Sequence, residues 1–155
     1  MLKTSHRESR VIAVSTERMF DLVADVERYP EFLPLMQRAT IIRRHASAYE
    51  TEQVLALGLL VHRFRTRTEL NPPHSISVTS ADRSFRRFDI RWSFAPTLEG
   101  HCCIDFALDC EVRLIWLKPL GDALVAQMAL TMVNAFVTRA RKLDAADKSL
   151  PLRLP

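Results

Sequence analysis

The sequence is poor in the residues that permit tight turns or form covalent cross-links. Only three of its 155 residues are glycine and only three are cysteine. Cys102, Cys103 and Cys110 form no Cys-x-x-Cys pair and no Cys/His ligand spacing, so neither a disulfide framework nor a zinc site is favoured. We therefore predict a reducing compartment and a protein with no metal and no resident cofactor.

No stretch is long and apolar enough to span a bilayer, which takes about 20 residues in a helix. The first ten residues carry Lys3, Arg7 and Arg10, and because no continuous apolar region follows them we expect no signal peptide. Repeats, low-complexity tracts and linkers are missing too. The sequence therefore predicts a cytoplasmic protein, with contact at the periphery of the inner membrane left open. It also predicts one domain over residues 1–144, followed by a flexible tail over 145–155.

Apolar residues make up 48 % of the chain, which is enough for a sizeable core and argues against disorder. The formal net charge is +4, but it is the difference between 22 basic and 18 acidic residues. Such a balance permits contact with phosphates or with an anionic membrane and does not single out either partner.

The longest apolar stretch, Lys118 to Leu143, is predicted to be a C-terminal helix. Between Ala123 and Val137 its only polar residues are Gln127, Thr131 and Asn134, which follow one another at i, i+4 and i+7. This spacing draws one polar stripe along a helix. The rest of the circumference must be covered by protein or by a ligand.

The N-terminal part predicts two short helices. Ser15 or Thr16 can cap a first helix that runs to about Asp25. Pro30 is expected to end this helix and to start a second, very short one, which Pro34 stops. The segment between the two prolines is a compact aromatic elbow.

Between Ala39 and Val112 the apolar period changes to two, which is typical of strands with one buried and one wet face. Gly58 and Gly100 fall between such runs, as hairpin turns require. The seven predicted strands lie near residues 10–14, 38–45, 48–57, 60–70, 75–80, 86–96 and 101–113. We predict an α+β fold in which one curved antiparallel sheet receives the long helix on its concave face. The gap between them is either filled by side chains or left as a ligand cavity.

The strand alternation leaves no acidic residue facing inwards. The strand acids that take the outward parity are Asp89, Asp105, Asp109 and Glu111. The inward polar side chains are His62, Thr66 and Thr68. Acid–base catalysis needs paired, positioned titratable groups, so we predict that the protein is not an enzyme.

Four segments, 23–34, 91–94, 110–112 and 132–140, together resemble the START-like superfamily of polyketide cyclases, dehydrases and lipid-transport proteins. Within it they are similar to the branch of coenzyme-Q-binding proteins and ribosome-associated toxins, and the resemblance extends over about residues 7–143. It implies a helix-grip fold, of the START/Bet v 1-like kind, that holds a lipid between the sheet and the long helix. Fold alone does not choose between the roles in this branch.

The inward strand residues, the long helix and the elbow supply the candidate ligand-binding set. Its members are Tyr29, Phe32, Leu33, Leu55, Leu57, His62, Phe64, Ile90, Trp92, Phe94, Phe106, Leu108, Leu124, Met128, Met132 and Phe136. The alternatives stay open: an apolar stripe is often simply core, His62 can be satisfied within the core, and the elbow aromatics can form a plug, a lid or a membrane-touching edge.

Arg63, Arg65 and Arg67 share one strand face and form a candidate surface for an anionic partner, either ribosomal RNA or lipid headgroups. Further arginines lie near the next turn: Arg83, Arg86, Arg87 and Arg91. Neighbouring acids, among them Glu52 and Glu69, can neutralise this face, which would then be an ordinary solvated surface.

Three functions follow from the resemblance. The leading hypothesis is non-catalytic binding and chaperoning of a hydrophobic lipid, most of all ubiquinone (coenzyme Q), in support of respiration. The second is a ribosome-associated, toxin-like protein that binds a ribosomal subunit. The third is a polyketide cyclase-like enzyme, which would need an inward acid or base that the alternation does not offer.

Overall fold

The computed structural model describes residues 2–57, 59–113 and 121–149, with side chains described at all of these except 2, 57, 60, 121–128 and 149. In chain order the elements are β1 (Leu2–Ile12), α1 (Thr16–Ala24), a 3-10 helix (Val26–Glu31), β2 (Met36–Arg44), β3 (Ala48–Leu57), β4 (Leu60–Asn71), β5 (Ser75–Thr79), β6 (Phe85–Pro96), β7 (Cys102–Val112) and α2 (Gly121–Ser149).

The strands form one seven-stranded sheet in the order β1-β7-β6-β5-β4-β3-β2, with antiparallel pairing throughout. From β2 to β7 each strand therefore pairs with the next one in the sequence. β1 instead pairs with β7, from Leu2 opposite Val112 to Ile12 opposite Cys102. The predicted meander and long helix are confirmed.

The alternation of apolar residues matches the two faces of the sheet. Phe64, Trp92 and Phe106 are between 2 and 3 % exposed on the inner face. On this face lies the middle of α2, where Val133 and Phe136 are at most 1 % exposed. The core is thus sandwiched between the sheet and the helix, as the sequence predicts.

α1 begins after Ser15, whose hydroxyl accepts a 3.2 Å hydrogen bond from the backbone N–H of Arg18. The predicted role of Pro30 was wrong: α1 already ends at Ala24, and Pro30 lies inside the 3-10 helix. The break occurs at Asp25, whose ψ of 67° is not helical. Pro30 lacks the N–H that would donate to the carbonyl of Glu27, so it costs this short 3-10 helix one hydrogen bond without ending it.

Two predicted bounds also differ from the structure. β1 begins at Leu2 rather than near residue 10, because β7 offers an equally long row of backbone partners even to a polar segment. Residues 145–149, which the sequence assigned to a flexible tail, continue α2 as a helix. Arg18 stabilises this end through ion pairs with Asp144, at 3.9 Å, and with Asp147. The predicted helix start at Lys118 and residues 150–155 lie outside the described residues.

Within the described ranges, no helix has the length and apolar character needed to cross a membrane.

Candidate ligand-binding site

The rings around Phe136 form the first of two aromatic groups on the inner face. The Phe136 ring lies 5.0 Å from Trp92 and 5.1 Å from both Tyr29 and Phe32, measured between centroids, with steep edge-to-face angles. Trp92 continues the contact to Phe106 at 4.7 Å. α2, the elbow and the sheet therefore meet through aromatic side chains.

This half of the interior is filled by protein. Phe136 is 1 % exposed and Trp92 is 2 % exposed. Most of the candidate ligand-binding set packs in this core: Tyr29, Phe32, Leu33, Ile90, Trp92, Phe94, Phe106, Leu108, Met132 and Phe136. The structure brings these residues together, and their mutual contacts match the core alternative of the sequence analysis.

The elbow is tied to the end of α1. The hydroxyl of Tyr29 donates to the carbonyl of Val23, and the hydroxyl of Tyr49 donates to that of Ala24 at 2.7 Å. Both carbonyls lie in the last turn of α1, where carbonyls lack helical partners. Burial raises the pKa of Tyr29 well above its ordinary value and that of Tyr49 to about 12, so both remain donors at neutral pH.

The second aromatic group lies on β4 and β6. His62 stacks on Phe64 with a centroid distance of 5.6 Å and an interplanar angle of 11°. Phe64 meets the edge of Phe85 at 5.4 Å, and Phe85 meets Phe88 at 4.9 Å. Half-buried Leu55 lies opposite His62 in the β3–β4 register.

His62 is neutral at physiological pH. Burial lowers the pKa of its imidazole, and the negative charge of Asp82 opposes this shift only in part. A neutral imidazole presents one N–H donor and one acceptor nitrogen. The ring is therefore both a stacking surface and a hydrogen-bonding group on the inner face.

Beside this aromatic group three buried polar side chains of β3 and β4 form what we call the polar triad: Thr51, Gln53 and Thr66. The hydroxyls of Thr51 and Thr66 lie 2.5 Å apart, and the Gln53 amide nitrogen lies 3.1 and 3.2 Å from them. None of the three residues is more than 7 % exposed. Burying polar groups in this way is unfavourable unless they are hydrogen-bonded.

The hydrogen bonds inside the polar triad do not use all of its capacity. Only one of the two hydroxyls can donate to the other, and the Gln53 amide nitrogen donates to both oxygens. One hydroxyl hydrogen and the Gln53 amide oxygen therefore take no part in these bonds. A carbonyl oxygen bound on this face could accept a hydrogen bond from the hydroxyl that does not donate within the triad.

Sequence reasoning missed several of these residues. Thr51 and Gln53 share the inward parity of Leu55, and that shared parity was the signal that could have revealed them. Phe85 and Phe88 join β4 and β6 across the interior, a contact that strand periodicity alone does not show. Three predicted ligand-binding residues have side chains outside the described part of the structure: Leu57, Leu124 and Met128.

One expectation about acids was wrong, because Glu8 faces inwards. It lies opposite the buried Phe106 in the β1–β7 register, and its side chain is 16 % exposed. The carboxylate accepts from Arg10 at 2.6 Å and lies 2.9 Å from the His6 ring nitrogen. The prediction failed because it began β1 at Arg10, which left Glu8 outside any strand.

The Glu8 carboxylate is paired with two side chains of its own strand, β1. Burial alone would raise the pKa of its carboxyl, but the hydrogen bonds and charges of His6 and Arg10 lower it below the ordinary value. Each carboxylate oxygen has one of these partners. Inward-facing charges of this kind also discourage an edge strand from pairing with another chain. We therefore assign the cluster to the edge of the sheet and not to a catalytic base.

The predicted polar stripe of α2 faces solvent, with Thr131, Asn134 and Thr138 exposed. Between it and the elbow runs a surface groove of about 400 Å³. Arg139 crosses this groove: it donates to Glu31 at 3.1 Å and holds its guanidinium 5.5 Å above the Phe32 ring. The groove is therefore lined by both polar and apolar side chains, and its Arg139 and Glu31 pair with each other.

The candidate anionic-partner surface is exposed but largely paired. Arg63 and Arg65 lie 3.6 and 3.8 Å from the Glu52 carboxylate, and Arg67 lies 3.5 Å from Glu69. Exposed ion pairs of this length are weak, typically about 0–1 kcal/mol. They still reduce the net positive charge of the strand.

Among the residues described, no cluster of histidine, cysteine and acidic side chains could hold a metal ion.

Comparison with known proteins gives a consistent family. Residues 12–137 match the family of polyketide cyclases/dehydrases and lipid transport. The chain is 33 % identical over 142 residues to the ribosome association toxin RatA of Pseudomonas aeruginosa, which covers 92 % of this chain and 99 % of that protein. It is 26 % identical over 145 residues to a mitochondrial coenzyme Q-binding protein of Xenopus laevis, covering 91 % of this chain and 59 % of that one.

Solved structures share the fold. The aromatase/cyclase Zhui of Streptomyces sp. R1128 aligns with a TM-score of 0.77 at 13 % identity, over 90 % of this chain and 94 % of that one. A START superfamily protein of Mycobacterium smegmatis aligns with a TM-score of 0.74 at 21 % identity, over 90 % and 98 %. At these identities the likeness concerns the fold alone. By its sequence match over residues 12–137, the chain belongs to the polyketide cyclase/dehydrase and lipid-transport family.

Proposed function

We propose that this protein binds a polyisoprenoid quinone of the ubiquinone class, without catalysis, between the inner face of the sheet and α2. The observation that carries the proposal is the polar triad of Thr51, Gln53 and Thr66 beside the aromatic group of His62 and Phe64. Small-molecule sites combine an apolar lining with a few convergent polar groups in this way. The relative from Xenopus laevis named as a coenzyme Q-binding protein supports the choice of ligand.

The two halves of the interior would have different roles. Phe136 and Trp92 are fully buried, whereas Leu55, His62 and Phe85 are only half-buried, so we place the quinone on the side of β3 and β4. The triad hydroxyl that does not donate within the triad would donate to a quinone carbonyl, and the half-buried His62 ring would stack on the headgroup. Burial of the isoprenoid tail would contribute roughly 25 cal/mol per Å², less the cost of ordering it.

The proposed role is that of a carrier or chaperone that supports respiration. Quinones of this class are almost insoluble in water, so a protein that shields the tail can move them. We place the protein in the cytoplasm, at the surface of the inner membrane. No catalytic step is proposed, because the inward-facing Glu8 is paired with His6 and Arg10.

The test is mass spectrometry of an organic extract from protein purified in its native host. The informative variant combines Thr51→Val, Gln53→Leu and Thr66→Val, which replaces all three partners together and so leaves no buried group unpaired. We expect stoichiometric quinone in the wild type and about a fivefold loss in the variant, since one hydrogen bond of about 1 kcal/mol is worth roughly that factor.

Thr4→Val is the matched control. Thr4 is also a buried threonine, 8 % exposed, but it lies on β1, the edge strand at the other end of the strand order from β2 and β3, where it pairs with Cys110. Circular dichroism would establish that all variants are folded. Equal quinone content in the wild type and the triple variant would contradict the proposed headgroup position, and no lipid in any sample would contradict the function.

A second candidate function is ribosome association. The observation that favours it is the 33 % identity to a protein named as a ribosome association toxin, along almost the whole of both chains. The exposed Arg63, Arg65 and Arg67 would contact phosphates of ribosomal RNA, and such contacts weaken steeply as salt is added.

The structure offers a paired test of this second function. Changing Arg63, Arg65 and Arg67 to Glu should abolish co-sedimentation with ribosomal subunits. Glu52→Gln should strengthen it, because this carboxylate lies within 4 Å of both Arg63 and Arg65 and competes with phosphate. Co-sedimentation that responds to neither change, nor to salt, would contradict a role for this face.

A further inference from the structure

The turn between β3 and β4 presents apolar side chains to solvent. From Val54 to Val61 the sequence reads Val-Leu-Ala-Leu-Gly-Leu-Leu-Val, without a polar side chain. Leu59 is fully exposed and Val61 is 62 % exposed. We call residues 55–61 the apolar hairpin. A single exposed leucine is ordinary, but an entirely apolar run at the tip of a hairpin is unfavourable in water.

The register places the apolar hairpin at one end of the sheet. Asn71 lies opposite Ser75, and Ser75 lies opposite Ser93, so the β4–β5 turn and the β6–β7 turn share one end. The apolar hairpin lies at the other end. It shares that end with the β5–β6 turn and with Arg113, whose N–H donates to the Ser84 carbonyl at 2.8 Å.

Basic side chains share this end of the sheet with the apolar hairpin. The exposed arginines at this end are Arg38, Arg63, Arg65, Arg83, Arg86, Arg87 and Arg113. Arg38 pairs in register with Val54, and Arg63 follows Val61 on the same outer face of β4. The acids at this end are Glu52, which is shared by Arg63 and Arg65, Asp82, whose carboxylate accepts from Ser84, and Glu111, which pairs with Lys3 and Arg86. Seven arginines against three acids leave this end of the sheet basic.

We propose that the apolar hairpin docks the protein on an anionic lipid bilayer. Leu59 would enter the boundary between headgroups and acyl chains, and the arginines at this end of the sheet would contact lipid phosphates. Apolar burial combined with attraction to anionic lipids is the physical basis of peripheral membrane binding. An apolar tip alone would fit any apolar partner, whereas the arginines at the same end of the sheet favour a surface that is also negatively charged.

The docking surface is not the aromatic elbow. Tyr29 and Phe32 pack on Phe136 at 5.1 Å, and Leu33 is 9 % exposed, so the elbow has little apolar surface to offer. The proposal also does not rest on quinone binding. Docking requires only the outer surface of the hairpin and should occur in protein freed of any lipid ligand.

The test is flotation of delipidated protein with vesicles of phosphatidylcholine alone or with phosphatidylglycerol added. The wild type should float with the mixed vesicles and bind pure phosphatidylcholine more weakly. Leu59→Asp should lower affinity for mixed vesicles at least about tenfold, since insertion of one leucine is worth about that factor. Because Leu59 is fully exposed, its replacement leaves the fold intact.

Leu98→Asp is the matched control. Leu98 is fully exposed as well, but it lies on the β6–β7 turn at the opposite end of the sheet. This variant should bind vesicles like the wild type. Equal loss in the two leucine variants, or equal binding by all three proteins, would overturn the proposal.

The same vesicles also test the contribution of the arginine charges and the alternative partners of the hairpin. Arg63→Ser together with Arg65→Ser should lower binding to mixed vesicles about tenfold or more, because each arginine near an anionic surface contributes roughly a fivefold factor. The proposal would be overturned if vesicle affinity changed neither on substitution of the two arginines nor on addition of phosphatidylglycerol. Self-association or ribosome binding that is lost in Leu59→Asp while vesicle binding is unchanged would overturn it as well.

Discussion

Truncation of Phe136 tests whether the interior beside α2 is packed with side chains or contains a ligand cavity. The ring is 1 % exposed and touches three others, those of Tyr29, Phe32 and Trp92, at centroid distances of 5.0 to 5.1 Å. Replacing a buried Phe by Ala costs about 3–5 kcal/mol. Loss of three edge-to-face contacts places Phe136→Ala near the top of this range, at about 4–5 kcal/mol.

The assay is urea unfolding followed by circular dichroism, with thermal unfolding as a second measurement. For a domain of this size the expected loss lowers the melting temperature by about 8–20 °C. Leu130→Ala is the control on the same helix: its side chain is 49 % exposed, so the change should cost less than about 1 kcal/mol. Equal m values would establish that the two unfolding reactions expose similar surface.

The result that refutes the reasoning is a Phe136→Ala variant no less stable than Leu130→Ala. The space around Phe136 would then not be filled by side chains, and a ligand would be needed to account for the burial of Trp92 and Tyr29. That outcome would move the proposed quinone from the side of β3 and β4 to the aromatic rings beside α2.

Three further perturbations follow from local geometry. Ser15→Ala removes the N-cap of α1 and should lower the free energy of unfolding by about 1 kcal/mol in urea titrations. Gly100→Ala should cost about 1 kcal/mol or more, because a φ of +77° is strained for alanine although nothing lies within 4 Å of the added Cβ. Glu8→Gln should cost roughly 1–3 kcal/mol at pH 7. Since the folded-state pKa of Glu8 is lowered below 4.5, its stabilisation is present above that pH and lost as pH falls through the folded-state pKa. Unfolding curves of wild type and Glu8→Gln should therefore converge in acid, and a constant difference would contradict the assigned ion pairs.

Periodicity predicted most of the fold because the inner face of the sheet packs against the core, whereas the outer face contacts water. From Phe88 to Phe94 and from Cys102 to Val112 every second residue is apolar, and burial follows the same rhythm. The first half of β1 has no such rhythm, since His6 and Glu8 face inwards while polar. Its pairing depends on the backbone of β7, which side-chain patterns do not reveal.

The candidate site was predicted as a set of inward side chains but not as two regions with different packing. Trp92 and Phe136 are in contact because α2 crosses the sheet where it does, and a strand pattern contains no information about that crossing. The polar triad was missed for a related reason. Gln53 is unfavourable in a core unless Thr51 and Thr66 lie within hydrogen-bonding distance, and that condition is three-dimensional.

The pairing of β1 with β7 has a consequence for the order of folding. Leu2 lies opposite Val112, so the first strand to be synthesised cannot close the sheet until the last strand has been made. Contacts this distant in sequence slow folding, and during synthesis they leave a strand unpaired for most of the chain's elongation. The charged Glu8 and Arg10 then disfavour pairing of the free first strand with the same strand of a neighbouring nascent chain.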